Sequence, residues 1–294
     1  MKQKIALVLS GGGARGIAHI GVIEELEKQG FEISSIAGTS MGALVGGVYA
    51  SGKMEAYKKW IYTLHKLDIF KLIDFSFSTN GLLKGDKILR KMKSFISNKN
   101  IEDFDIDFTC VATDIVNDKE YIFESGDIFE AIRASVSIPT VFVPVKKGSS
   151  VLVDGGVINN IPIKHVTRHK NDLLVVVHVN ADVPVYKPLL STTEKKIKET
   201  SYFTKIKNFQ NQINKLKSNQ HDKKFGYFNL INKTLGLMSN QLSKLILAEY
   251  NPDILINVSR KTCGLFDFYK AEELVEIGKH IASKSIETYK NKSA

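Results

Sequence analysis

The sequence predicts an α/β fold of three layers, in which a mainly parallel central sheet carries helices on both faces. Short apolar runs rich in Val, Ile and Leu alternate along the chain with longer segments whose apolar residues recur every three or four positions. Glycine-rich clusters separate many of these runs and segments, as expected where strands turn sharply into helices. Continuous apolar strands that alternate with amphipathic helices are typical of a sheet that is buried on both faces.

The first elements follow this alternation closely. Residues 5–9 form an unbroken β-favouring run that ends at glycine, which predicts a buried strand. Apolar residues at helical spacing predict a helix over residues 14–29, with Gly30 as its C-terminal stop. A second strand is predicted for residues 33–37 and a helix of small residues for 41–50. We therefore expect parallel strands joined by right-handed crossovers.

The rest of the chain continues in the same way. Strands are predicted for residues 107–115, 119–125, 140–145, 149–156, 173–180 and 253–258. Helices are predicted for residues 127–139, 162–169 and 269–289. Pro139 would end the first of these helices, and Pro162 suits the first turn of the second.

The composition of the 294 residues, 43% hydrophobic and 24% charged, is that of a soluble globular protein. The apolar stretch at the N-terminus is short and lacks a cleavage site, so we interpret it as a strand and not as a signal peptide. Cys110 and Cys263 are isolated, which favours a reducing, cytoplasmic location. We expect no cofactor and no metal, because no cluster of His, Cys and carboxylate residues has the spacing of metal ligands.

The net charge of +10 favours anionic partners, and both nucleic acid and acidic lipid qualify. Nucleic-acid binding is not expected, since only the net charge supports it. Lysines are concentrated in residues 187–224, where several apolar residues share one helical face: Phe203, Ile206, Phe209, Ile213 and Leu216. Such a segment can lie on an anionic membrane surface, or it can pack its apolar face on the protein and leave its lysines in solvent.

Gly11, Gly13 and Gly16 form a G-x-G-x-x-G pattern between the first strand and the first helix. This pattern occurs in dinucleotide-binding folds, where an acidic residue at the end of the second strand binds the ribose. Here the nearest acid, Glu32, stands before that strand and not after it. The missing acid disfavours an oxidoreductase and leaves the glycine turn available to hold an oxyanion.

The second strand ends instead in Gly-Thr-Ser-Met-Gly, residues 38–42, a G-x-S-x-G sequence between a strand and a helix. This pattern is typical of a nucleophile elbow, in which a tight turn exposes the oxygen of Ser40 and the flanking Gly38 and Gly42 avoid clashes. Because parallel strands end at the same edge of a sheet, we expect the glycine turn to converge on Ser40.

Backbone N–H groups of Gly11, Gly12 and Gly13 are the candidate donors of an oxyanion hole beside Ser40. Glycine permits a close approach of the backbone because it has no Cβ. Arg15 could support this loop or add positive charge near it.

A nucleophilic serine also needs a base. In the chain order of an ordinary α/β-hydrolase, a histidine follows the acid, and several histidines follow Asp154: His165, His169, His178, His221 and His280. None of them stands in a turn motif. Asp154 itself ends a predicted strand and is followed by Gly155 and Gly156, so it could face a cleft or form an ordinary surface turn.

Together these motifs resemble the patatin-like phospholipases. Gly11 to Gly16 match the family's G-G-G-x-R-G, residues 38–42 its G-x-S-x-G, and Asp154 to Gly156 its D-G-[AG], in the family's order. The segment Ala134–Pro144 is also similar to the family, and the resemblance covers about residues 4–181. Residues 266–278 resemble the C-terminal helices of bacterial members, and Ser10 stands where plant members have an acid.

The resemblance implies a Ser-Asp dyad that works without histidine, with Ser40 as nucleophile, Asp154 as general base and Gly11, Gly12 and Gly13 as oxyanion hole. It implies a lipid acyl hydrolase of the phospholipase A or lysophospholipase type, acting on phospholipid or lysophospholipid. We expect one hydrolase domain over residues 1–294, with a lysine-rich insertion or lid at about 187–250, and peripheral contact with anionic membranes. The alternative is a catalytically idle membrane-binding or scaffolding protein on the same fold.

Overall fold

The computed structural model describes residues 2–66, 68, 85–94, 99–186 and 227–293. The lysine-rich segment over residues 187–224 and its predicted amphipathic face therefore lie outside the described residues.

One mixed sheet forms the centre of the protein. Its strands are β1 (Gln3–Leu9), β2 (Phe31–Thr39), β3 (Asp107–Asp114), β4 (Lys119–Phe123), β5 (Val145–Lys147), β6 (Ser150–Asp154), β7 (Leu173–Ala181) and β8 (Ile254–Ser259). The strand order is β5-β6-β3-β2-β1-β7-β8, with β4 paired to β3. The run from β3 to β8 is parallel, whereas β4 and β6 are antiparallel to β3. The prediction of a mainly parallel sheet is confirmed.

Helices cover both faces of this sheet. They are α1 (Ala18–Lys28), α2 (Met41–Ala50), α3 (Met54–Tyr62), α4 (Asp86–Lys93), α5 (Ile128–Ser135), α6 (Tyr227–Tyr250) and α7 (Ala271–Ser293). Along β1, Ile5, Leu7 and Leu9 belong to the core shared with α1, α2 and α7. Ala6 and Val8 belong to a second core, against which α6 packs. The alternation of a strand buried on both faces thus produces the predicted three layers.

The ends of β1 and β2 bring two loops together. These strands pair in parallel, with Leu9 opposite Gly38. The glycine turn after β1 and the serine turn after β2 therefore leave the sheet at the same edge, next to each other.

An antiparallel strand reaches the same place because of how β3 is shared. β4 pairs with β3 over residues 110–114, whereas β2 pairs with β3 only over residues 107–111. β6 pairs with residues 112–114 of β3. Because β4 occupies one edge of β3 at these residues, β6 must lie on the other edge, where β2 pairs with residues 107–111. β6 thus continues the line of β2 beyond the point where β2 ends. This arrangement places Asp154, opposite Ala112, beside the turn that follows β2.

Two predicted elements are wrong. Residues 140–144 are not a strand: residues 139–141 form a turn that the Phe142 N–H closes by donating to the Ile138 carbonyl at 2.9 Å, and only Val145 begins β5. The helix predicted for residues 162–169 is a single 3-10 turn, Ile163–His165, followed by extended backbone at Val166. Ile163 and Val166 are both buried in the core beneath α6, and this burial overrides the local preference of Pro162 for a helix start.

Three predicted helices have different bounds, and the one predicted for residues 269–289 is α7, Ala271–Ser293. The helix predicted for residues 127–139 ends at Ser135, before Pro139, because the Ser137 carbonyl accepts a hydrogen bond from the Asp154 N–H at 2.9 Å. The helix predicted for residues 14–29 begins as a 3-10 turn, Gly13–Ile17, and becomes α1 only at Ala18.

Candidate active site

Ser40 occupies the sharp turn between β2 and α2. Its backbone angles, φ 55° and ψ −121°, lie in a region that non-glycine residues rarely adopt. The Ser40 N–H donates to Ser135 Oγ at 2.8 Å, and Ser135 Oγ donates to the Val111 carbonyl at 2.6 Å. The Ser40 carbonyl accepts from the Leu44 N–H at 3.0 Å, which begins the hydrogen-bonding of α2. The strained turn is therefore held from both sides, as in a nucleophile elbow.

The glycines that flank Ser40 allow contacts between backbones. A Cβ on Gly42 would lie 2.1 Å from the Leu9 carbonyl oxygen, and one on Gly38 would lie 2.6 Å from the Gly42 carbonyl oxygen. Only glycine lets the start of α2 rest directly on the end of β1. The N-terminus of α2, with its favourable dipole for negative charge, is thereby fixed at Ser40.

Asp154 lies against the serine hydroxyl. Its Oδ2 accepts a hydrogen bond from Ser40 Oγ at 2.5 Å, and its Oδ1 accepts from the Gly156 N–H at 2.8 Å. Both side chains are buried. Burial raises the pKa of Asp154 to about 6, although the hydrogen bonds from Ser40 and Gly156 act in the opposite direction. The carboxylate is thus a stronger base than a free aspartate and is in contact with the proton it would accept.

The described histidines have other partners or surroundings. His165 pairs with Glu120, and His169 lies 3.2 Å from Asp107. His280 stacks on Tyr186, and His178 is buried in β7, where burial lowers its pKa to about 4. No described histidine forms a hydrogen bond with the side chain of Ser40 or Asp154, and His221 lies outside the described residues.

The glycine turn after β1 offers fewer donors than the sequence suggests. The Gly11 N–H donates to the Asn160 carbonyl at 3.2 Å and is therefore occupied. The N–H groups of Gly12 and Gly13 have no hydrogen-bond acceptor in the part of the chain that the structure describes. Gly13 has φ 57°, and a Cβ there would lie 2.4 Å from Leu265 Cδ1, so glycine is required. The candidate oxyanion donors are thus Gly12 and Gly13, with Gly11 as a support.

Arg15 also serves this turn as a support. Its Nε donates to Asn180 Oδ1 at 2.8 Å, and its Nη1 donates to the Cys263 carbonyl at 3.1 Å. Burial lowers the pKa of Arg15. Gly16 lies where a Cβ would be 2.5 Å from Met41 Cγ, so the glycine turn packs tightly on the start of α2.

The glycines after Asp154 have a similar function. A Cβ on Gly155 would lie 2.3 Å from the Val111 carbonyl oxygen, and one on Gly156 would lie 2.9 Å from Asn160 Oδ1. The loop after β6 therefore packs closely against β3 and against Asn160, whose carbonyl accepts the hydrogen bond from the Gly11 N–H.

An apolar cleft opens beside Ser40. Among the described residues it is lined by Gly13, Ser40, Met41, Leu44, Tyr57, Trp60, Ile61, Leu64, Ile88, Met92, Val136, Ile138, Phe142, Leu265, Phe266 and Phe268. Met92 is fully buried and Phe266 is 45% exposed, so the cleft extends from the interior to the surface. Ser40 and Gly13 thus adjoin a space suited to a hydrocarbon chain, and Asp154 contacts the Ser40 hydroxyl.

Sequence reasoning did not find three polar side chains that position this site: Ser135, Asn160 and Asn180. Ser135 lies within the 134–144 segment that the sequence singled out, but nothing local marks its hydroxyl as a partner of Ser40. Asn180 was detectable as a polar residue near the end of the most apolar strand, β7. None of the helices that the structure describes has both the length and the apolar composition needed to span a bilayer. The described residues contain no group of three His, Cys, Asp or Glu side chains placed to hold a metal ion.

Comparison with known proteins identifies the family of this chain. Residues 7–167 match the family model described as patatin-like phospholipase. An uncharacterized NTE family protein of Mycobacterium tuberculosis is 30% identical, and the alignment covers 97% of this chain and 92% of that protein. Lysophospholipase NTE1 of Saccharomyces cerevisiae is 32% identical over 61% of this chain but only 11% of its own length.

Among solved structures, VipD from Legionella pneumophila aligns with a TM-score of 0.50 at 14% identity, over 98% of this chain and 67% of that chain. This likeness concerns the fold. The family model and the mycobacterial relative together show that the chain belongs to the patatin-like phospholipase family.

Proposed function

We propose that this protein is a lipid acyl hydrolase of the phospholipase A or lysophospholipase type. The observation that carries the proposal is the 2.5 Å hydrogen bond from Ser40 to Asp154 beside an apolar cleft. Relatives that bear the name lysophospholipase support the same substrate class. The proposed roles are Ser40 as nucleophile, Asp154 as general base and the N–H groups of Gly12 and Gly13 as oxyanion hole.

The first half of the reaction forms an acyl-enzyme. As Ser40 Oγ attacks the ester carbonyl, its proton passes to Asp154, and the carbonyl oxygen becomes an oxyanion that accepts from Gly12 and Gly13. The intermediate collapses by breaking the bond to the alcohol oxygen. That oxygen takes the proton from Asp154 and leaves as the glycerol hydroxyl of the deacylated lipid, so the carboxylate is ionised again.

The second half releases the fatty acid. Asp154 accepts a proton from water, and the water oxygen attacks the acyl carbonyl of the Ser40 ester. The oxyanion forms at the same donors. When it collapses, Ser40 Oγ leaves, takes the proton from Asp154, and the fatty acid departs.

The apolar cleft is the proposed site of the acyl chain, because its lining is almost entirely hydrocarbon and aromatic. On α4, Ile88 and Met92 line the cleft, while Arg90 and Lys91 on the outer side are exposed. Cations next to the cleft suit an anionic lipid surface. We infer a cytoplasmic protein in peripheral, salt-sensitive contact with anionic membranes, to which the lysine-rich segment over residues 187–224 adds further charge.

We also propose that residues 1–294 form one hydrolase domain, in which about 187–250 are an insertion or lid. Of this region the structure describes α6, which packs on the second core through Ile246 and Leu247. Thr140 Oγ1, in the segment between two cleft residues, donates to Asn232 Oδ1 of α6 at 2.9 Å. The helix is therefore in contact with one wall of the cleft, as an insertion near the active site would be.

The test combines a fluorophosphonate probe with fatty-acid release from lysophosphatidylcholine and mixed lipids by the purified full chain. The wild type should label at Ser40 and release fatty acid, whereas Ser40→Ala should do neither and Asp154→Asn should lose most of both. Ser51→Ala is the matched control, because Ser51 is a buried serine at the other end of α2. A folded wild type that neither labels nor hydrolyses would instead support the idle scaffolding protein.

A further inference from the structure

The carbonyl of Gly11 is held by two asparagine side chains. Asn180 Nδ2 donates to it at 2.9 Å, and Asn160 Nδ2 donates at 3.4 Å. The shorter bond comes from Asn180, near the end of β7, the strand that pairs with β1 on the side away from β2. A contact from this side acts on the glycine turn without touching Ser40 or Asp154 directly.

Arg15 determines which way the Asn180 amide faces. A guanidinium has only donors, so the Asn180 atom that meets Arg15 Nε at 2.8 Å must be the acceptor Oδ1. The Asn180 NH₂ group then necessarily faces the Gly11 carbonyl. Arg15 is itself fixed by the Cys263 carbonyl at 3.1 Å. The three groups form a relay in which each donor or acceptor role follows from the one before it.

The relay acts on the next amide because a peptide unit is planar. The Gly11 C=O and the Gly12 N–H belong to one trans peptide and point in opposite directions. A Cβ on Gly12 would lie 2.4 Å from Val179 Cγ2, and one on Gly11 would lie 3.0 Å from Ser40 Cβ. The turn therefore runs between the end of β7 and the serine. Holding the Gly11 carbonyl toward Asn180 directs the Gly12 N–H to the side of Ser40.

A peptide between two glycines needs such an anchor, since neither residue has a side chain that restricts rotation of the unit. The position of the turn, in contrast, is fixed by the backbone of its neighbours. The Ser10 N–H donates to the Val177 carbonyl at 3.0 Å, and the Val179 N–H donates to Ser10 Oγ at 3.0 Å. Loss of the Asn180 amide leaves the Gly11 carbonyl with only the longer bond from Asn160, so it should loosen the peptide while the turn stays in place.

We propose that Asn180, oriented by Arg15, is a positioning residue that sets the direction of the Gly12 N–H in the oxyanion hole. The inference rests on the proposed function, in which this N–H stabilises a developing oxyanion. An interaction realised only in the transition state affects kcat and leaves substrate binding unchanged.

The decisive variant is Asn180→Asp, which keeps the shape and the acceptor for Arg15 but replaces the donor with a carboxylate that repels the Gly11 carbonyl. We expect kcat to fall by about tenfold to a hundredfold, less than the loss of a whole oxyanion donor, with KM nearly unchanged. Affinity for an alkyl boronic acid, which forms a tetrahedral adduct with an activated serine, should fall by the same factor. Affinity for a non-hydrolysable ether lipid should stay constant.

Asn171→Asp is the matched control, since Asn171 is exposed in the turn that precedes β7 and the charge change is the same. Arg15→Met should give a smaller loss of kcat, and the double variant should lose no more than Asn180→Asp alone, because both act through one peptide. If Asn180→Asp does not fold, Asn180→Ala also removes the donor and carries the same expectation.

Wild-type kcat in the folded Asn180 variant would overturn the inference, as would an equal loss of ether-lipid binding, which indicates a damaged cleft. Crystal structures of the wild type and the variant provide a readout that needs no substrate: the Gly11–Gly12 peptide should be turned in the variant. A wild type that is inert toward esters and boronic acid refutes the proposed function alone. The orientation of this peptide in the two crystals still decides the inference.

Discussion

Asp154 accepts a hydrogen bond from Ser40 at 2.5 Å, although the two residues lie at the ends of strands that run in opposite directions. The contact exists because β6 continues the line of β2 along the upper part of β3. Both side chains are buried there, so under the proposed function the protonation of this one carboxylate would control the reactivity of the serine.

The pH dependence of activity should follow Asp154. The carboxylate must be ionised to accept the serine proton, so kcat/KM should fall as pH decreases through about 6, with the slope of a single proton. A pH profile of lysophospholipid hydrolysis measures this limb. His165→Gln should leave the fall of kcat/KM at low pH unchanged. A histidine variant that abolishes activity would instead favour a triad.

The free energy of unfolding should also depend on pH through the Asp154 carboxyl. Burial raises its pKa from 3.8 to about 6 on folding, so its contribution to the free energy of unfolding is present at low pH and is lost as pH rises through that window. Relative to the wild type, Asp154→Asn should therefore gain on the order of 3 kcal/mol between about pH 4 and pH 7. Urea unfolding at the two pH values measures the difference. Identical pH dependence of the two proteins would show that the carboxyl is not perturbed.

Ser135→Ala should impair the elbow. It leaves the buried Ser40 N–H without its acceptor at 2.8 Å, at a cost of about 1–3 kcal/mol in stability. Because the turn that presents the nucleophile loosens, kcat should fall more than KM changes. Thermal unfolding and steady-state kinetics check both effects, with Ser51→Ala as the control on α2. If Ser135→Ala and Ser51→Ala have the same kcat, Ser135 does not help to position Ser40.

Two glycine-to-alanine variants should have opposite effects. The Cβ of Gly42→Ala would lie 2.1 Å from the Leu9 carbonyl oxygen, so we expect destabilisation on the order of 4 kcal/mol or failure to fold. Gly236→Ala, inside α6 with open space around it, should stabilise the protein by about 0.5–1 kcal/mol. Unfolding midpoints distinguish the two outcomes. Equal midpoints would contradict the close packing of α2 on β1.

Filling the cleft should shorten the preferred acyl chain. Met92 is fully buried within the lining, so Met92→Trp should lower kcat/KM for long-chain esters much more than for short-chain esters. Met92→Leu, which nearly conserves the volume, should retain the wild-type preference. A chain-length series of p-nitrophenyl esters measures the ratio. A uniform loss over all lengths would indicate that the acyl chain binds elsewhere.

The sequence predicted the elements that local patterns determine. β1, β2 and α2 follow from an apolar run, glycine punctuation and small residues, and their places in the fold are confirmed. Their parallel pairing also follows from the alternation of strands and helices. These features depend on neighbours within a few positions along the chain.

The sequence could not predict features that depend on distant partners. Residues 162–169 departed from their local preference because Ile163 and Val166 are buried in the core. Residues 140–144 are held by hydrogen bonds from elsewhere in the fold: Thr140 donates to Asn232 of α6, and the Val143 carbonyl accepts from Arg133 of α5. Ser135 accepts a hydrogen bond from the Ser40 N–H, which lies 95 positions away in the sequence, and Asn180 donates to the Gly11 carbonyl, 169 positions away. A serine or an asparagine carries no local signal of such a partner.

The placement of β6 has a consequence during synthesis. The ribosome delivers Ser40 with β1, β2 and β3 before it delivers Asp154, and Asn180 emerges later still. A nascent chain that ends after β3 has the proposed nucleophile but lacks its proposed base. Under the proposed function, the order of strands along the chain would delay esterase activity until β6 has been translated.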